Sequence, residues 1–333
     1  MTFKEIMTEL KKGIYRPIYF LMGDEPYFID KITDFIAQNA LTADQKDFNQ
    51  TVIYGKDASV ALIDNTARRC PMMSEKMVVI VKEAQNVKNI ENLVYYAQKP
   101  PKSTILVINY KQKTIAKNSK LYKEIEKNGV VFESTKLYEN KVSSWITEYI
   151  NEIGYSIDPI ATRMIVDNLG TDLSKIANEI DKLIIGLPPN SKITANEIEK
   201  NIGISKDFNV FELQNALLRK DTYKSFLIAN YLTSKENSGS MAIIISTLFN
   251  FFSKILIVHS LKDRNASNVA KELKVHPFFA QDYISAANVY NVPKLARIIS
   301  YLRQFDLKSK GVDNFSADDN ALVKELIYLI LNG

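Results

Sequence analysis

The stretch FLMGDEPYFIDKI, Phe20 to Ile32, decides how the first third of the chain is read. Ile18, Tyr19, Phe20 and Leu21 give an apolar strand signal that runs into a turn at Gly23, and an amphipathic helical pattern opens near Tyr27. Strand, glycine turn and helix N-terminus, in that order, are where a nucleotide-binding protein holds phosphates. A Walker A loop reads G-x-x-x-x-G-K-[ST]; its N–H groups cradle the phosphates, its Lys neutralises charge and its hydroxyl holds Mg²⁺. Gly23-Asp24-Glu25-Pro26-Tyr27-Phe28 has one Gly, no Lys-Ser/Thr pair, and a Pro26 that lacks an N–H. Asp24 and Glu25 also put carboxylates where a polyphosphate would lie. At about 4 Å and an effective dielectric near 20, each such repulsion is on the order of 4 kcal/mol. The same carboxylates suit a helix start, where they complement the dipole.

The other half of an ATP site fares no better. A Walker B strand ends in an acidic residue that holds the metal. The candidate strand, Val78-Val79-Ile80-Val81-Lys82-Glu83, places the cation Lys82 there. Gly23, Asp24, Glu25 and Lys82 therefore read as a degenerate nucleotide site, and neither a cofactor nor ATP hydrolysis is expected of it.

Outward from this stretch, residues 1–140 alternate strand and helix signals. Strands are expected at Pro17–Leu21, Phe48–Ile53, Met77–Val81, Thr104–Asn109 and Val130–Glu133. Helices are expected at Phe3–Lys12, Tyr27–Ala40, around Ser59–Arg69, at Ile90–Gln98 and over a Lys-rich run from Thr114. Short Val/Ile runs separated by helices indicate a parallel sheet covered on both faces, a doubly wound α/β domain. After Glu133 the strand signals stop. Helical spacing follows at Val142–Ile153, Asp158–Leu169, Leu173–Ile185 and Asn196–Asn201, a compact unit over 141–205. Pro159 fits a first helical position and Gly170 a helix end. A third segment, 206–333, is helical again, from Val210–Leu218 to Asp318–Leu331, beyond a gap near Gly203–Asn209.

Composition bounds the function classes. The 333 residues are 46% hydrophobic and 24% charged, ordinary globular values that suggest more than one domain. The single Cys70 forms no internal disulfide, which fits a reducing cytoplasm. The N-terminus carries charges among its apolar positions, unlike a signal peptide. The most apolar stretch, Ala242 to Val258, is interrupted by polar residues and reads as a buried helix rather than a membrane span. The net charge of +5 is mildly basic and compatible with contact to nucleic acid.

Other features divide between two readings each. Lys117 and Lys120, on the helix expected from Thr114, would share one side, which Lys113 just before it could join, and could meet DNA phosphates; a solvated surface helix is the competing reading. His259 and His276 lack metal-ligand spacing and are treated as structural, and no metal site is expected. Phe249, Phe251 and Phe252 read as core or subunit contacts. Around Arg68-Arg69-Cys70-Pro71-Met72-Met73-Ser74-Glu75-Lys76, Pro71 ends a helix before a strand. Two adjacent Met on a short turn tend to point apart, which favours at least one being exposed. Either one is exposed, as an interface anchor with a polar rim, or both pack under the sheet edge.

Four motifs, in order along the chain, are similar to those of one family. Pro17-Ile-Tyr-Phe-Leu-Met-Gly-Asp-Glu-Pro-Tyr-Phe resembles an opening P-x-Y-L-x-G-E-E-x-Y-L, and Pro71-Met-Met-Ser-Glu-Lys-Met-Val-Val-Ile-Val an L-F/P-F turn leading into a strand. Leu169-Gly-Thr-Asp-Leu-Ser-Lys-Ile-Ala-Asn-Glu-Ile-Asp-Lys-Leu resembles G-N-D-L-x-x-L-x-N-E-L-x-K-L, and Phe305-Asp-Leu-Lys-Ser-Lys-Gly an A-D-x-x-x-K-S/T-G. Together they resemble the delta-subunit family of the bacterial DNA polymerase III clamp loader.

The resemblance implies an AAA+-type, P-loop-like domain over 1–140, a helical lid over 141–205 and a helical collar over 206–333 that oligomerises. It implies that the chain binds and opens the ring-shaped sliding clamp (the beta subunit) during DNA replication, in the cytoplasm. Gamma/tau and delta-prime subunits would complete a hetero-pentamer around primer-template DNA. By this resemblance the clamp-binding tip falls at Pro71, Met72 and Met73, with Met where the family often has Leu-Phe. The family is classed with DNA-directed DNA polymerase, a nucleotidyltransferase, as part of the holoenzyme, although no catalytic residue is recognisable here. Two rivals remain at this point: an active P-loop-type nucleotide-binding enzyme, and a stand-alone DNA-binding module.

Overall fold

The computed structural model describes residues 1–333 apart from 204, 206, 207, 235–240 and 314–317, with the backbone alone at 139 and 140. The chain forms two compact units, Met1–Leu137 and Tyr138–Gly333.

In the first unit, strands β1 (Ile18–Gly23), β2 (Gln50–Tyr54), β3 (Met77–Lys82), β4 (Thr104–Lys111) and β5 (Val130–Ser134) pair in the order β2-β3-β4-β1-β5, all parallel. Helices α1 (Phe3–Lys11), α2 (Pro26–Asn39), α3 (Ala43–Asn49), α4 (Val60–Ala67), α5 (Val94–Gln98) and α6 (Lys120–Asn128) connect and cover them. The strands are apolar on both sides, and each side has its own core. Tyr19, Leu21, Val78 and Val107 pack with Ile6 of α1 and with Ile29 and Ile32 of α2. Phe20, Met22, Val79 and Leu106 pack with Ile63 of α4, Tyr96 of α5 and Leu121 of α6. Strand order explains this split. The crossover through α2 carries the chain from β1 towards the β2 edge, whereas those through α4, α5 and α6 run the other way. Right-handed crossovers of opposite direction lie on opposite faces.

The second unit is helical: α7 (Glu139–Glu152), α8 (Pro159–Leu169), α9 (Leu173–Ile185), α10 (Ala195–Ile202), α11 (Val210–Leu218), α12 (Thr222–Leu232), α13 (Met241–Ser260), α14 (Ala266–Leu273), α15 (Ala280–Val289), α16 (Val292–Ser309) and α17 (Asp319–Asn332). Helix α13 is long and apolar enough to cross a membrane by length and composition. Ile244, Leu248, Phe251, Phe252, Ile255 and Val258 are nonetheless all buried in a core shared with α11, α15, α16 and α17. Phe249 on its outer side is exposed.

Several expectations need correction. The stretch ADQKDFN is helical (α3), so Phe48 belongs to a helix and β2 begins at Gln50; a capping box at Thr42 and Gln45 starts this helix. Strands also do not stop at Glu133. β6 (Ser156–Ile157) and β7 (Lys192–Ile193) form a two-residue parallel pair beside α7 and α10. The Lys-rich helix begins at Lys120, not Thr114, because Ser119 caps it and Ile115 before it is drawn into the sheet core. Residues 204, 206 and 207, in the gap expected near Gly203–Asn209, lie outside the described residues.

Candidate functional site

Two places in the first unit carry the functional question. The first is the crevice beyond the C-terminal ends of β1 and β4. The chain leaves these neighbours on opposite faces, which makes the gap between them the topological switch point where α/β sheets bind ligands. Here the chain itself fills it. Gly23 N–H donates to the Lys113 carbonyl at 3.1 Å, and Gln112 N–H donates to the Gly23 carbonyl at 2.9 Å. Ile115 N–H points at the Met22 sulfur at 3.4 Å. On the other side, Glu25 N–H donates to the Ser134 carbonyl at 3.3 Å and the Ser134 hydroxyl donates to the Glu25 carbonyl at 2.7 Å.

Gly23 is required in this seam. Its φ is +119°, and a Cβ there would lie 2.1 Å from the Ser134 carbonyl oxygen. The Glu25 carboxylate is buried and accepts from Tyr27 N–H at 3.1 Å, capping α2 in the position where a phosphate would otherwise use the helix N-terminus. Asp24 is exposed. Lys82 ends β3 half-buried, and its carbonyl accepts from Gly55 N–H at 2.8 Å. The crevice is thus closed by main chain, and the acid and proline that disqualify the loop in sequence serve its helix cap in space.

The second place is the α4–β3 turn. Helix α4 ends at Ala67, whose carbonyl accepts from the Thr104 hydroxyl at 2.8 Å, and Arg68 lies over the Tyr96 ring. The chain then leaves the sheet through exposed Cys70 and half-buried Pro71. Both methionines are outside: Met72 is 60% and Met73 98% exposed. The turn is held from below by Asn49, the last residue of α3 and itself buried. Its amide oxygen accepts from Met72 N–H at 2.7 Å, and its amide nitrogen donates to the Met72 carbonyl at 2.9 Å and to Gln45 at 3.0 Å. Met73 adopts φ +49°, a left-handed conformation that costs a residue with a Cβ about 1–2 kcal/mol. Ser74 and Lys76 close the turn, the Lys76 N–H donating to the Ser74 hydroxyl.

Phe48, next to Asn49, is also exposed, as are Val52 and Tyr54 on the outer strand β2. Sequence reasoning missed Asn49. An Asn between a helix and a strand reads as an ordinary turn residue, and its partner lies 23 positions away.

Lys113, Lys117 and Lys120 do not share one helical face. Lys113 reaches the Gln85 carbonyl at 3.5 Å, Lys117 pairs with Glu133 at 3.5 Å, and Lys120 starts α6. His259 contacts the Tyr290 carbonyl through Nε2 at 2.8 Å, and His276 Nδ1 accepts from Phe278 N–H. No cluster of potential metal ligands occurs among the described residues.

Fold and site together define an α/β protein with a 2-3-4-1-5 parallel sheet, a switch point sealed by its own backbone, and an exposed apolar tip on the α4–β3 turn hydrogen-bonded to Asn49. Residues 19–135 match the family model for DNA polymerase III, delta subunit, and residues 207–328 that for its C-terminal domain. The DNA polymerase III subunit delta of Bacillus subtilis is 26% identical over 339 residues, covering 98% of this chain and 96% of the relative. A probable delta subunit from Aquifex aeolicus is 21% identical over 235 residues, covering 65% of this chain and 64% of its own length. Among solved structures, the Bacillus subtilis DNA clamp loader delta protein superposes with a TM-score of 0.58 at 23% identity, over 99% of this chain and all of that one. The chain belongs to the delta-subunit family of DNA polymerase III.

Proposed function

We propose that this chain is the clamp-binding subunit of a bacterial clamp loader: it seizes the sliding clamp with Pro71, Met72 and Met73 and opens it for loading onto primed DNA. One observation carries the reading. A buried Asn49 fixes the backbone of a turn whose two apolar side chains face solvent, Met73 almost completely. An apolar tip held rigid before contact avoids much of the ordering cost of binding and suits a hydrophobic pocket on a partner. The sealed switch point supports a division of labour in which neighbouring subunits, of the gamma/tau and delta-prime kinds, bind and hydrolyse ATP in a cytoplasmic hetero-pentamer.

In this reading residues 1–140 are the AAA+-type domain, 141–205 the lid and 206–333 the collar through which the chain oligomerises. The first boundary falls close to the break between the two compact units. Lys113, Lys117 and Lys120 remain candidates for contact with primer-template DNA. Lys120 is exposed and Lys117 is held only by a long surface pair.

The test is capture of the ring-shaped clamp by the full chain and by Met72→Ala/Met73→Ala. The double variant should keep its circular dichroism and lose clamp capture. Undiminished capture and opening by that variant rejects the assignment of the tip.

A further inference from the structure

Within the second unit, α7, α8, α13 and α14 surround a cleft of about 870 Å³, inside the roughly 300–1,000 Å³ typical of small-molecule sites. Its lining is charged in one sense. Lys141 on α7, Arg163 on α8, Lys254 on α13 and Lys274 at the end of α14 contribute cations, whereas Asp167 is the one carboxylate. Arg163 is already engaged: it reaches Gln214 at 2.6 Å and Asp167 at 3.5 Å, and stacks on Phe211 and Phe279. Asp167 thus faces Arg163. Lys141, Lys254 and Lys274 have no ion-pair partner among the described residues.

Three lysines from three helices line one cleft, and an anion held between them would be attracted by all three. One carboxylate would leave two of the three unmatched; a phosphate brings up to two charges and three acceptor oxygens. Hydroxyls of Ser144 and Thr247 add neutral donors to the same walls. Phe251 and Tyr283 supply an apolar side, each buried except where it meets the cleft. The bounded volume suits a compact ligand with an apolar or planar body better than a polymer that must enter and leave.

We propose that this cleft binds a phosphate-bearing small molecule of about mononucleotide size, with Lys141, Lys254 and Lys274 on the phosphate and Phe251 and Tyr283 against the body. The site is remote in sequence from Met72 and Met73, and it stands or falls independently of clamp binding.

The full chain is titrated calorimetrically, without divalent metal, with pyrophosphate, AMP, ATP and adenosine, and separately with a short single-stranded oligonucleotide; Lys254→Gln/Lys274→Gln is titrated in parallel. The phosphate-bearing probes should bind, adenosine should not, and the double variant should bind at least about tenfold more weakly. An unchanged melting temperature of the unliganded variant separates lost contacts from lost fold; if that variant does not fold, Lys141→Gln carries the comparison. No binding by any probe overturns the proposal. So does undiminished nucleotide binding by the variant, which would place the ligand elsewhere. Binding of a single-stranded oligonucleotide alone, abolished by the same substitutions, overturns it in favour of a nucleic-acid groove.

Discussion

At the scale of single residues, Asn49 does what no property of Asn in isolation suggests. Its amide completes three hydrogen bonds from a buried position, two of them to the backbone of a residue that is otherwise in solvent. The pattern ties the tip to α3 and lets Met73 hold a left-handed backbone that a free turn would abandon. Asn49→Ala should cost about 1–2 kcal/mol, measured by urea unfolding, since the Met72 groups can turn to water. If the proposed function holds, it should also weaken clamp capture with both methionines intact. Full-strength capture by Asn49→Ala would mean that the tip does not depend on this clamp. The residues at 71–73 were legible in the sequence as an apolar turn between charges. The support was not, because a contact spanning 23 positions leaves no local trace.

At the scale of elements, strong periodicity located the helices well. Val210–Leu218 and Thr222–Leu232 occupy the residues that their apolar spacing marks. What escaped was short or polar. ADQKDFN offers one large apolar side chain, and that one is exposed, so α3 rests on its capping box rather than on a buried stripe. β6 and β7 are two residues each, too brief for alternation to register. The lysines before α6 read as helical, but burial of Ile115 and the seam along β1 bind that segment as an extended loop. The seam also sets a prediction. Gly23→Ala would drive a Cβ into the Ser134 carbonyl at a φ that L-residues rarely adopt. It should destabilise the first unit by more than about 3 kcal/mol, or leave it insoluble. A near-normal melting temperature would show that β1 and β5 can part without loss.

At the scale of the whole molecule, both units rely on tyrosines sunk into apolar cores. Burial pushes the Tyr19 phenol up to about 12, and desolvation raises Tyr96 and Tyr290 as well. Tyr290 still donates to the Leu217 carbonyl at 2.7 Å, linking the end of α15 to α11. A phenol whose folded value lies above its unfolded value near 10 favours the folded state fully below that pH. The advantage disappears as pH rises through the folded values. The chain should therefore be stable at neutral pH and lose stability above about pH 10, the last part of the phenolate absorbance, from the buried tyrosines, rising together with loss of helical circular dichroism. Complete phenolate formation before any loss of structure would contradict this. The closed switch point has a longer reach. Three of its stitches join peptide groups, which every residue except proline carries alike, so exchanging most side chains, Gly23 apart, leaves them in place. Only an insertion or deletion that reroutes the chain after β4 could reopen the crevice. A lineage that has closed its pocket in this way can vary its sequence widely and still be unable to retrace the step one substitution at a time.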